Sequence, residues 1–595
     1  MKNSLAIAAF AWLWAGALCA QTPSTGTQQS PASDPETFVH LTTRQWFTLD
    51  PADAFDSVSS IVIGNVYEPL IAFKSIHAAD AFEPFLAEKV PSVENGLLSK
   101  DRTAYSFPIR KGVLFHDGSP LTPEDVRYSL LRFMLQDMEG GPSSLLLHPI
   151  MGVYGTRGAD GKITLDFKKA AQAVRVDGDK VIVELHEPCD HFLKVLASLP
   201  IIVSKSWAVA HGEWDGTEKE WERYNNQPRA STFLHEHMNG TGPFELEKVE
   251  PEKQLVLKRN EHYWRKPAAL ARVFLRIVPH RALRLSMLEN GDADSSFMED
   301  QDFSQVQELP QVKVIDGLPN AALGEVLFFT FAVEPDSEFL GSGKLDGQGI
   351  PPDFFKDRSV REGFAYAFDY EGYLKNGMGL RGKRAAGPVC SRLLAGQDAP
   401  PYAQDLDKSA AAFKKAYGGA LWEKGFTLTL SYSHSNPSRQ VIAQFLQASL
   451  EKINPRFKVR LRHMQSAKLY DLAEHNRLPL FIAGYYADYP DAQAFVFELL
   501  HSQGYFPKAQ RYSNPKLDAL IDEANCLQDA GKRNELYRRI SRLAQEDLAQ
   551  IYTYEPTRFQ AARDNVQGFQ DEQNIGNLNL NNFPYFYALS KSAAR

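Results

Sequence analysis

Short apolar runs alternate along the chain from about residue 38, some with the periodicity of strands and others with that of helices. The run at 325–332 predicts a buried strand, and residues 426–432 alternate in the manner of a strand. Residues 357–369 carry apolar side chains at helical spacing and predict an amphipathic helix. Strands that alternate with helices indicate α/β layers. Further strands are predicted at 245–249, 254–258, 458–462 and 551–554, and further helices at 60–70, 126–134, 282–290, 440–453, 514–526 and 532–548.

The start of one helix is marked clearly in the sequence. Thr122 is a hydroxyl cap, Pro123 occupies the first helical position, and Asp125 places an acid in the first turn. His116 and Asp117, just before it, have the residue types of an acid–base pair. Because adjacent residues on an extended strand point to opposite faces, we assign both of them a structural role.

Residues 481–491 form the candidate binding segment. They begin as a short apolar run of strand type and end in Asp-Tyr-Pro-Asp, which is a turn sequence. The pattern places Asp488 just beyond a strand end, among three tyrosines. A carboxylate there can anchor a cationic group, and the neighbouring rings offer flat apolar walls. The alternative is that Asp488 only caps the turn before Pro490 and that the tyrosines pack.

The first residues predict export. Met1 and Lys2 precede an apolar run at 5–18, and a small-residue cleavage site follows, so residues 1–20 are interpreted as a signal peptide. Leu18 directly before Cys19 is a poor match to a lipid-attachment site, which disfavours a lipid anchor. Residues 21–36 are rich in Ser, Thr, Pro and Gln and predict a disordered tether. No later segment has the length of a membrane span, so we expect an exported protein with no direct membrane span.

Composition narrows the function without identifying it. A chain of 595 residues is too long for one small core and predicts about two to four domains. The net charge of −8 argues against a nucleic-acid partner.

No catalytic, metal or nucleotide motif emerges. Cys189, Cys390 and Cys526 permit at most one disulfide and form no zinc motif. The glycine-rich loop at 239–244 is not followed by Lys-Ser/Thr, and Pro243 removes an amide donor that a phosphate would need. We therefore expect no cofactor, no metal and no enzymatic activity, and an exported protein of this kind is typically a binder.

Several segments together resemble the extracytoplasmic solute-binding proteins of peptide-type ABC transporters, a family of dipeptide-, oligopeptide- and nickel-binding proteins. They recur in the family's order and span nearly the whole of the chain that follows the signal. The matching segments are 65–70, 109–126, 240–244, 259–264, 356–369 and 484–491.

The resemblance implies an α/β, two-lobed periplasmic-binding-protein fold with an inserted accessory domain, of the large type II class (cluster C). Such proteins close on the ligand by a hinge, and the ligand lies where the lobes meet. The implied divisions are lobe I at 36–66, 195–322 and 551–595, the accessory domain at 67–194, and lobe II at 323–550.

The resemblance also implies the site. In peptide-binding members, the aspartate at the position of Asp488 pairs with the α-ammonium group of the ligand, through a charge-assisted hydrogen bond. The backbone of this segment pairs with the ligand as an added strand. Tyr485 stands where relatives often carry tryptophan. The other residues implied to line the site are Gly484, Tyr486, Ala487, Tyr554, Phe55, Asp56 and Ser57.

One departure from the family bears on the ligand. Dipeptide-binding relatives hold the ligand carboxylate with an arginine in the loop that corresponds to residues 433–439, and no arginine stands at the matching place here. His434 and Arg439 are the candidate substitutes, and longer peptides fit this departure better than dipeptides.

The function implied is that of a monomeric periplasmic protein that captures peptides for ABC permease and ATPase subunits. The alternatives are a non-peptide solute such as a nickel chelate or an oligosaccharide, a sensory role, and a secreted hydrolase.

Overall fold

The computed structural model describes residues 31–75, 78–158, 160–318, 320–379, 381–434, 436–569 and 584–592. The predicted signal peptide and the tether up to residue 30 lie outside this part of the chain. The expectation of a disordered tether through residue 36 is wrong for its last residues. Pro31–Ser33 form a 3-10 turn, and Lys591 Nζ donates to the carbonyl oxygens of Ala32 and Asp34 at 2.8 and 3.1 Å. These bonds attach the segment to the fold.

The first sheet has seven strands within the described residues. Its middle strand, Thr37–Thr42, is buried at every position and runs parallel to both neighbours. In order across the sheet, the strands are Val312–Ile315, Gln560–Arg563, Ser295–Ser296, Thr37–Thr42, Arg272–Ile277, Gln254–Arg259 and Phe244–Glu250. The helices of this part are Ser57–Val66, Arg281–Asn290 and Phe303–Gln307.

The second sheet has six strands in the described chain. Ala322–Phe329, near its middle, is buried throughout, as its continuous apolar run predicts. In order, the strands are Lys383–Arg384, Gln550–Glu555, Ala322–Phe329, Leu480–Tyr486, Phe426–Ser433 and Phe457–Met464. The helices of this part are Arg358–Ala367, Tyr370–Gly372, Leu406–Lys415, Ala420–Lys424, Pro437–Ile453, Ser466–Glu474, Ala492–Leu500, Tyr505–Gln510, Pro515–Cys526 and Ala530–Asp547.

Residues between Val66 and the helix Lys205–Ala210 build smaller sheets. One pairs Ile71–Ser75 with Ala78–Pro84, and another pairs Ala104–Pro108 and Val174–Asp177 with Lys180–Glu184. The helices here are Pro123–Gln136, Ser144–Met151, Phe167–Ala173, Phe192–Ala197 and Lys205–Ala210. A short two-stranded ladder, Val566–Gln567 with Ser590–Lys591, lies near the end of the chain.

The sequence motifs of this region have structural roles. The predicted helix start is confirmed, because Thr122 and Asp125 form a reciprocal capping box ahead of Pro123–Gln136. The His116 ring bridges to the glycine-rich loop: its Nδ1 accepts from the Gly240 N–H at 3.3 Å, and its Nε2 lies 3.0 Å from the Gly242 carbonyl oxygen. Two of the segments that carry the resemblance therefore contact each other.

One expected boundary is wrong. The strand predicted at 551–554 is confirmed as Gln550–Glu555, but it pairs with Ala322–Phe329 and Lys383–Arg384 in the second sheet. The chain re-enters the first sheet only at Gln560–Arg563. Residues 551–555 therefore belong with the second sheet and not with the expected first lobe.

Cys189, Cys390 and Cys526 are free thiols. Across the described residues, no helix is both long enough and apolar enough to cross a bilayer.

Candidate functional site

The strand Leu480–Tyr486 carries the candidate binding segment to the edge of the second sheet. It pairs antiparallel with Ala322–Phe329 along its length, whereas its parallel pairing with Phe426–Ser433 stops at Ile482. The backbone at Gly484 approaches the neighbouring strand closely, since a Cβ there would lie 2.4 Å from the Gly324 carbonyl oxygen. Glycine at 484 is therefore needed for packing inside the sheet.

Asp488 follows directly beyond this strand, as predicted. Its Oδ2 accepts a hydrogen bond from the Tyr485 hydroxyl at 2.8 Å. Burial raises the pKa of Asp488 to about 7, and the nearby charge of Glu498 adds to that rise. Within the described residues, no Lys, Arg or His nitrogen forms an ion pair with it, so a cation from outside would stabilise its ionised form.

The turn-cap role belongs to a different aspartate. Asp491 is the N-cap of the helix Ala492–Leu500, and its Oδ1 accepts from the Gln493 N–H at 3.0 Å. This observation weakens the alternative interpretation of Asp488, because the cap of the following helix is already supplied.

Asp491 also anchors a charged network that joins two parts of the chain. Its Oδ2 lies 2.8 Å from Lys194 Nζ and 3.4 Å from Arg533 NH2. Lys194 also pairs with Asp80 at 2.7 Å, and Arg533 with Asp190 at 2.7 Å. Although burial opposes ionisation, Lys194 and Arg533 hold the pKa of Asp491 below its usual range. The network ties the helix Phe192–Ala197 to the turn that carries Asp488.

Asp488 lines a cleft of about 430 Å³, counting the part open to solvent. One wall comes from the segment around the helix Ser144–Met151 and the other from the helix Ala492–Leu500. Aromatic rings connect the two walls, since the Tyr154 and Phe497 centroids are 4.7 Å apart. The lining residues are Ser144, Leu145, His148, Pro149, Tyr154, His191, Val195, Asp488, Tyr489, Gln493, Ala494, Phe497, Glu498 and Asn525.

The tyrosines of the predicted site have different surroundings. Tyr485 is buried and its hydroxyl serves Asp488, whereas Tyr486 is 49% exposed. Tyr554 is buried against Gly324, where a Cβ would lie 2.3 Å from the Tyr554 ring, and its ring centroid is 5.6 Å from that of Tyr373. The Ala487 N–H donates to the Ala321 carbonyl oxygen at 3.0 Å, which fixes the exit of the strand.

Arg439 is already paired. Its Nε donates to Glu325 Oε2 at 2.8 Å, and its NH1 donates to Ser433 Oγ at 2.6 Å. Asn436 Nδ2 also donates to Glu325, at 2.6 Å. Burial raises the pKa of Glu325, and the Arg439 charge opposes that rise. His434 is exposed, with Nδ1 2.8 Å from the Met464 carbonyl oxygen. As placed here, Arg439 is not free to hold a ligand carboxylate.

Glu325 was missed by the sequence reasoning. It interrupts the otherwise apolar run of residues 322–329 and is fully buried. A lone charged residue inside such a run was the available signal, because buried charges require partners.

The loop at 55–57 starts a helix. Asp56 caps Ser57–Val66 by accepting from the Val58 and Ser59 N–H groups at 3.0 and 3.2 Å. Phe55 is 47% exposed, and Ser57 Oγ accepts from Arg44 at 3.2 Å. Asp56 thus has a structural role, while Phe55 leaves an apolar ring uncovered.

Comparisons with known proteins agree with this architecture. The family model "Bacterial extracellular solute-binding proteins, family 5 Middle" matches residues 81–507. The chain is 24% identical over 525 residues to the probable D,D-dipeptide-binding periplasmic protein DdpA of Escherichia coli K12, covering 88% of this chain and 89% of that one. It is 23% identical over 529 residues to heme-binding protein A of Haemophilus influenzae, covering 87% and 86%.

A solved structure shows the same fold. The periplasmic binding protein DppA of Helicobacter pylori, in complex with the peptide STSA, aligns with a TM-score of 0.72 at 19% identity and covers 93% of this chain and 98% of its own. The expected two-lobed α/β fold is confirmed. The chain belongs to family 5 of the bacterial extracellular solute-binding proteins.

Proposed function

We propose that this protein captures peptides by their amino terminus at Asp488 and delivers them to an ABC importer. The observation that carries this proposal is the environment of Asp488, a carboxylate that lines a cleft and has no cationic partner in the described chain. A peptide α-ammonium would supply the missing charge through a charge-assisted hydrogen bond. The relatives and the solved neighbour are named for peptides among other ligands.

The backbone beside Asp488 supports an added ligand strand. Pairing with Phe426–Ser433 ends at Ile482, so Gly484, Tyr485 and Tyr486 have no partner strand recorded on that side. A peptide lying there would exchange main-chain hydrogen bonds, which depend little on its side chains. Phe55 and Tyr554 would contribute apolar surface to the same ligand.

The two sheets would be the lobes that close on the ligand. We assign lobe I to 36–66, 195–321 and 556–595, the accessory domain to 67–194, and lobe II to 322–555. The protein would act as a periplasmic monomer, exported by its signal peptide. Its partners would be the permease and ATPase subunits of an importer, and the chain itself would be no enzyme.

Calorimetry with matched peptides tests the proposal. Ala-Ala-Ala should bind at least about tenfold more tightly than N-acetyl-Ala-Ala-Ala, because a hydrogen bond to a charged group contributes about 1.5–3 kcal/mol. Asp488→Asn should remove most of that difference, while Asp177→Asn, an exposed carboxylate far along the chain, should leave it intact. Equal binding of the free and acetylated peptides would refute the anchor.

The same samples separate the alternatives. Binding of a nickel chelate or an oligosaccharide without any peptide binding would favour a non-peptide solute on this fold. Fragments in the mass spectrum of incubated peptides would favour a hydrolase.

A further inference from the structure

We propose that the cleft beside Asp488 is a subsite for a positively charged side chain, namely lysine or arginine at the first position of the bound peptide. This inference rests on the proposed function, because it places the ligand amino terminus at Asp488. The cleft is bounded by the helix Ala492–Leu500 on one side and by the segment from Ser144–Met151 to Tyr154 on the other. A side chain that leaves the first residue beside Asp488 would enter it.

Two buried polar side chains in the cleft lining have unpaired atoms. Asn525 is 2% exposed and its Oδ1 has no hydrogen-bond partner in the described chain, and His191 is 5% exposed with an Nδ1 in the same condition. Buried polar atoms of native proteins are normally hydrogen-bonded. The Asn525 oxygen can only accept, so it requires a donor from the ligand.

The charges of the cleft all have one sign. Glu498 lines it together with Asp488, and the Glu498 Oε2 accepts only the Tyr505 N–H at 3.0 Å. Burial raises the pKa of Glu498, and the charges of Lys508 and His501 only partly offset this. His191 adds no positive charge, since burial lowers its pKa to about 3. Within the described residues, neither carboxylate forms an ion pair.

The walls suit the body of a long cationic side chain. The rings of His148 and Tyr154 stack with centroids 4.2 Å apart, and Phe497 continues the stack from the opposite wall. Aromatic faces and edges pack against methylene groups, and their quadrupoles attract a cation near the face. An acidic or purely apolar first side chain would leave the carboxylates and the Asn525 oxygen without donors.

Ligand variation on the wild-type protein is the first test. Lys-Ala-Ala should bind at least about tenfold more tightly than norleucine-Ala-Ala, which has nearly the same shape without the charge, and than Nε-acetyl-Lys-Ala-Ala. Ala-Lys-Ala should not show this gain, since its lysine follows the first residue. Affinities within twofold for the lysine and norleucine peptides would overturn the inference, even if both peptides bind.

A protein variant provides the second test. Glu498→Gln should reduce the lysine-to-norleucine ratio to about threefold or less, while norleucine-Ala-Ala still binds. The matched control is Glu523→Gln, which removes the same charge from an exposed position on the helix Pro515–Cys526 that also carries Asn525. A ratio unchanged by Glu498→Gln would contradict the assignment, and thermal melts of both variants would report folding.

Single amino-acid amides separate this inference from peptide capture. Lysinamide and norleucinamide present the amine and the side chain without a peptide backbone. If no tripeptide binds but lysinamide is preferred and Glu498→Gln removes the preference, the subsite stands and peptide capture fails. If peptides bind with no preference at the first position, capture stands and the subsite fails.

Discussion

Asp488 and Asp491 belong to one short motif but have opposite electrostatic surroundings. Asp491 is balanced by Lys194 and Arg533 and keeps its charge. Asp488 has only the Tyr485 hydroxyl as a side-chain partner and faces another carboxylate, so burial holds its pKa near 7. The difference comes from residues almost 300 positions away in the chain, as with Lys194. One carboxylate is therefore structural, and the other is available for a ligand.

This environment makes peptide binding dependent on pH. Because the folded-state pKa of Asp488 lies above its model value of 3.8, the carboxyl is largely protonated in the unliganded protein at pH 5.5. The affinity for a free-amine peptide should rise about tenfold between pH 5.5 and 7.5, as the carboxylate forms. Calorimetry at both pH values measures this, with the N-acetylated peptide and Asp488→Asn as pH-insensitive controls.

The same linkage sets the sign for stability. Between the unfolded and folded pKa values the folded protein holds more protons at this site, so the contribution of Asp488 to stability declines as pH rises toward 7. Asp488→Asn should remove that decline and melt at a higher temperature than wild type at pH 8 without ligand. An identical pH profile for the two proteins would mean that the carboxyl is solvated.

Sequence patterns located the elements better than they located their partners. The continuous apolar run around 322–329 predicted a buried strand, and the Thr-Pro-x-Asp motif at 122–125 predicted a helix start, because local chemistry decides both. The same run hid the role of Glu325, whose pairing with Arg439 crosses more than 100 residues. Nothing local in the sequence indicates that Arg439 would be used within the protein.

The strand that carries Glu325 contains a second feature that depends on distant residues. Its pairing shifts register between Leu323 and Val326, and at Gly324 the Tyr554 ring occupies the space where a side chain would stand. Sequence alone assigns this glycine to a strand interior, where glycine is unfavourable. The close approach of Tyr554 explains why it is tolerated.

Substitution at Gly324 tests this packing. A Cβ at position 324 would lie 2.3 Å from the Tyr554 ring, so Gly324→Ala should displace the tyrosine and destabilise the protein by about 1–3 kcal/mol. Peptide affinity should also fall, because Tyr554 is expected to line the ligand site. The control is Gly64→Ala, in the helix Ser57–Val66 with no atom within 4 Å of the new Cβ, which should be neutral or stabilising. Chemical denaturation and calorimetry measure both effects, and an undisturbed Gly324→Ala variant would contradict the packing argument.

The whole molecule is organised by two passages of the chain between its large sheets. The chain leaves the first sheet after Ile315 and returns to it after Glu555. The two passages lie side by side, since the Leu318 N–H donates to the Arg558 carbonyl oxygen at 3.1 Å and Asn320 Nδ2 donates to the Pro556 carbonyl oxygen at 3.1 Å. Adjacent crossing segments of this kind can act as a hinge. The sequence pattern marked the strands on either side, but their sharing between sheets depends on pairing partners.

Arg381 bridges the two lobes near this hinge and should favour the state in which they are together. It lies on the lobe II side, whereas its partners Asp300 and Asp316, at 3.1 and 2.8 Å, and the Phe303 ring under its guanidinium lie on the lobe I side. Arg381→Gln should therefore weaken peptide binding by about two- to fivefold, as expected for a pair worth up to about 1 kcal/mol. The reason is that closing would cost more, although Arg381 is not one of the predicted ligand contacts.

Small-angle scattering with and without peptide completes this test. Wild type should become more compact on binding, and Arg381→Gln should require a higher peptide concentration to reach the same radius of gyration. Arg477→Gln removes an exposed arginine whose partner, Asp336, lies in the same lobe, so it should leave both affinity and compaction unchanged. If Arg381→Gln lowers only the melting temperature and leaves affinity at the wild-type value, the contact holds the fold together and does not set the balance between open and closed lobes.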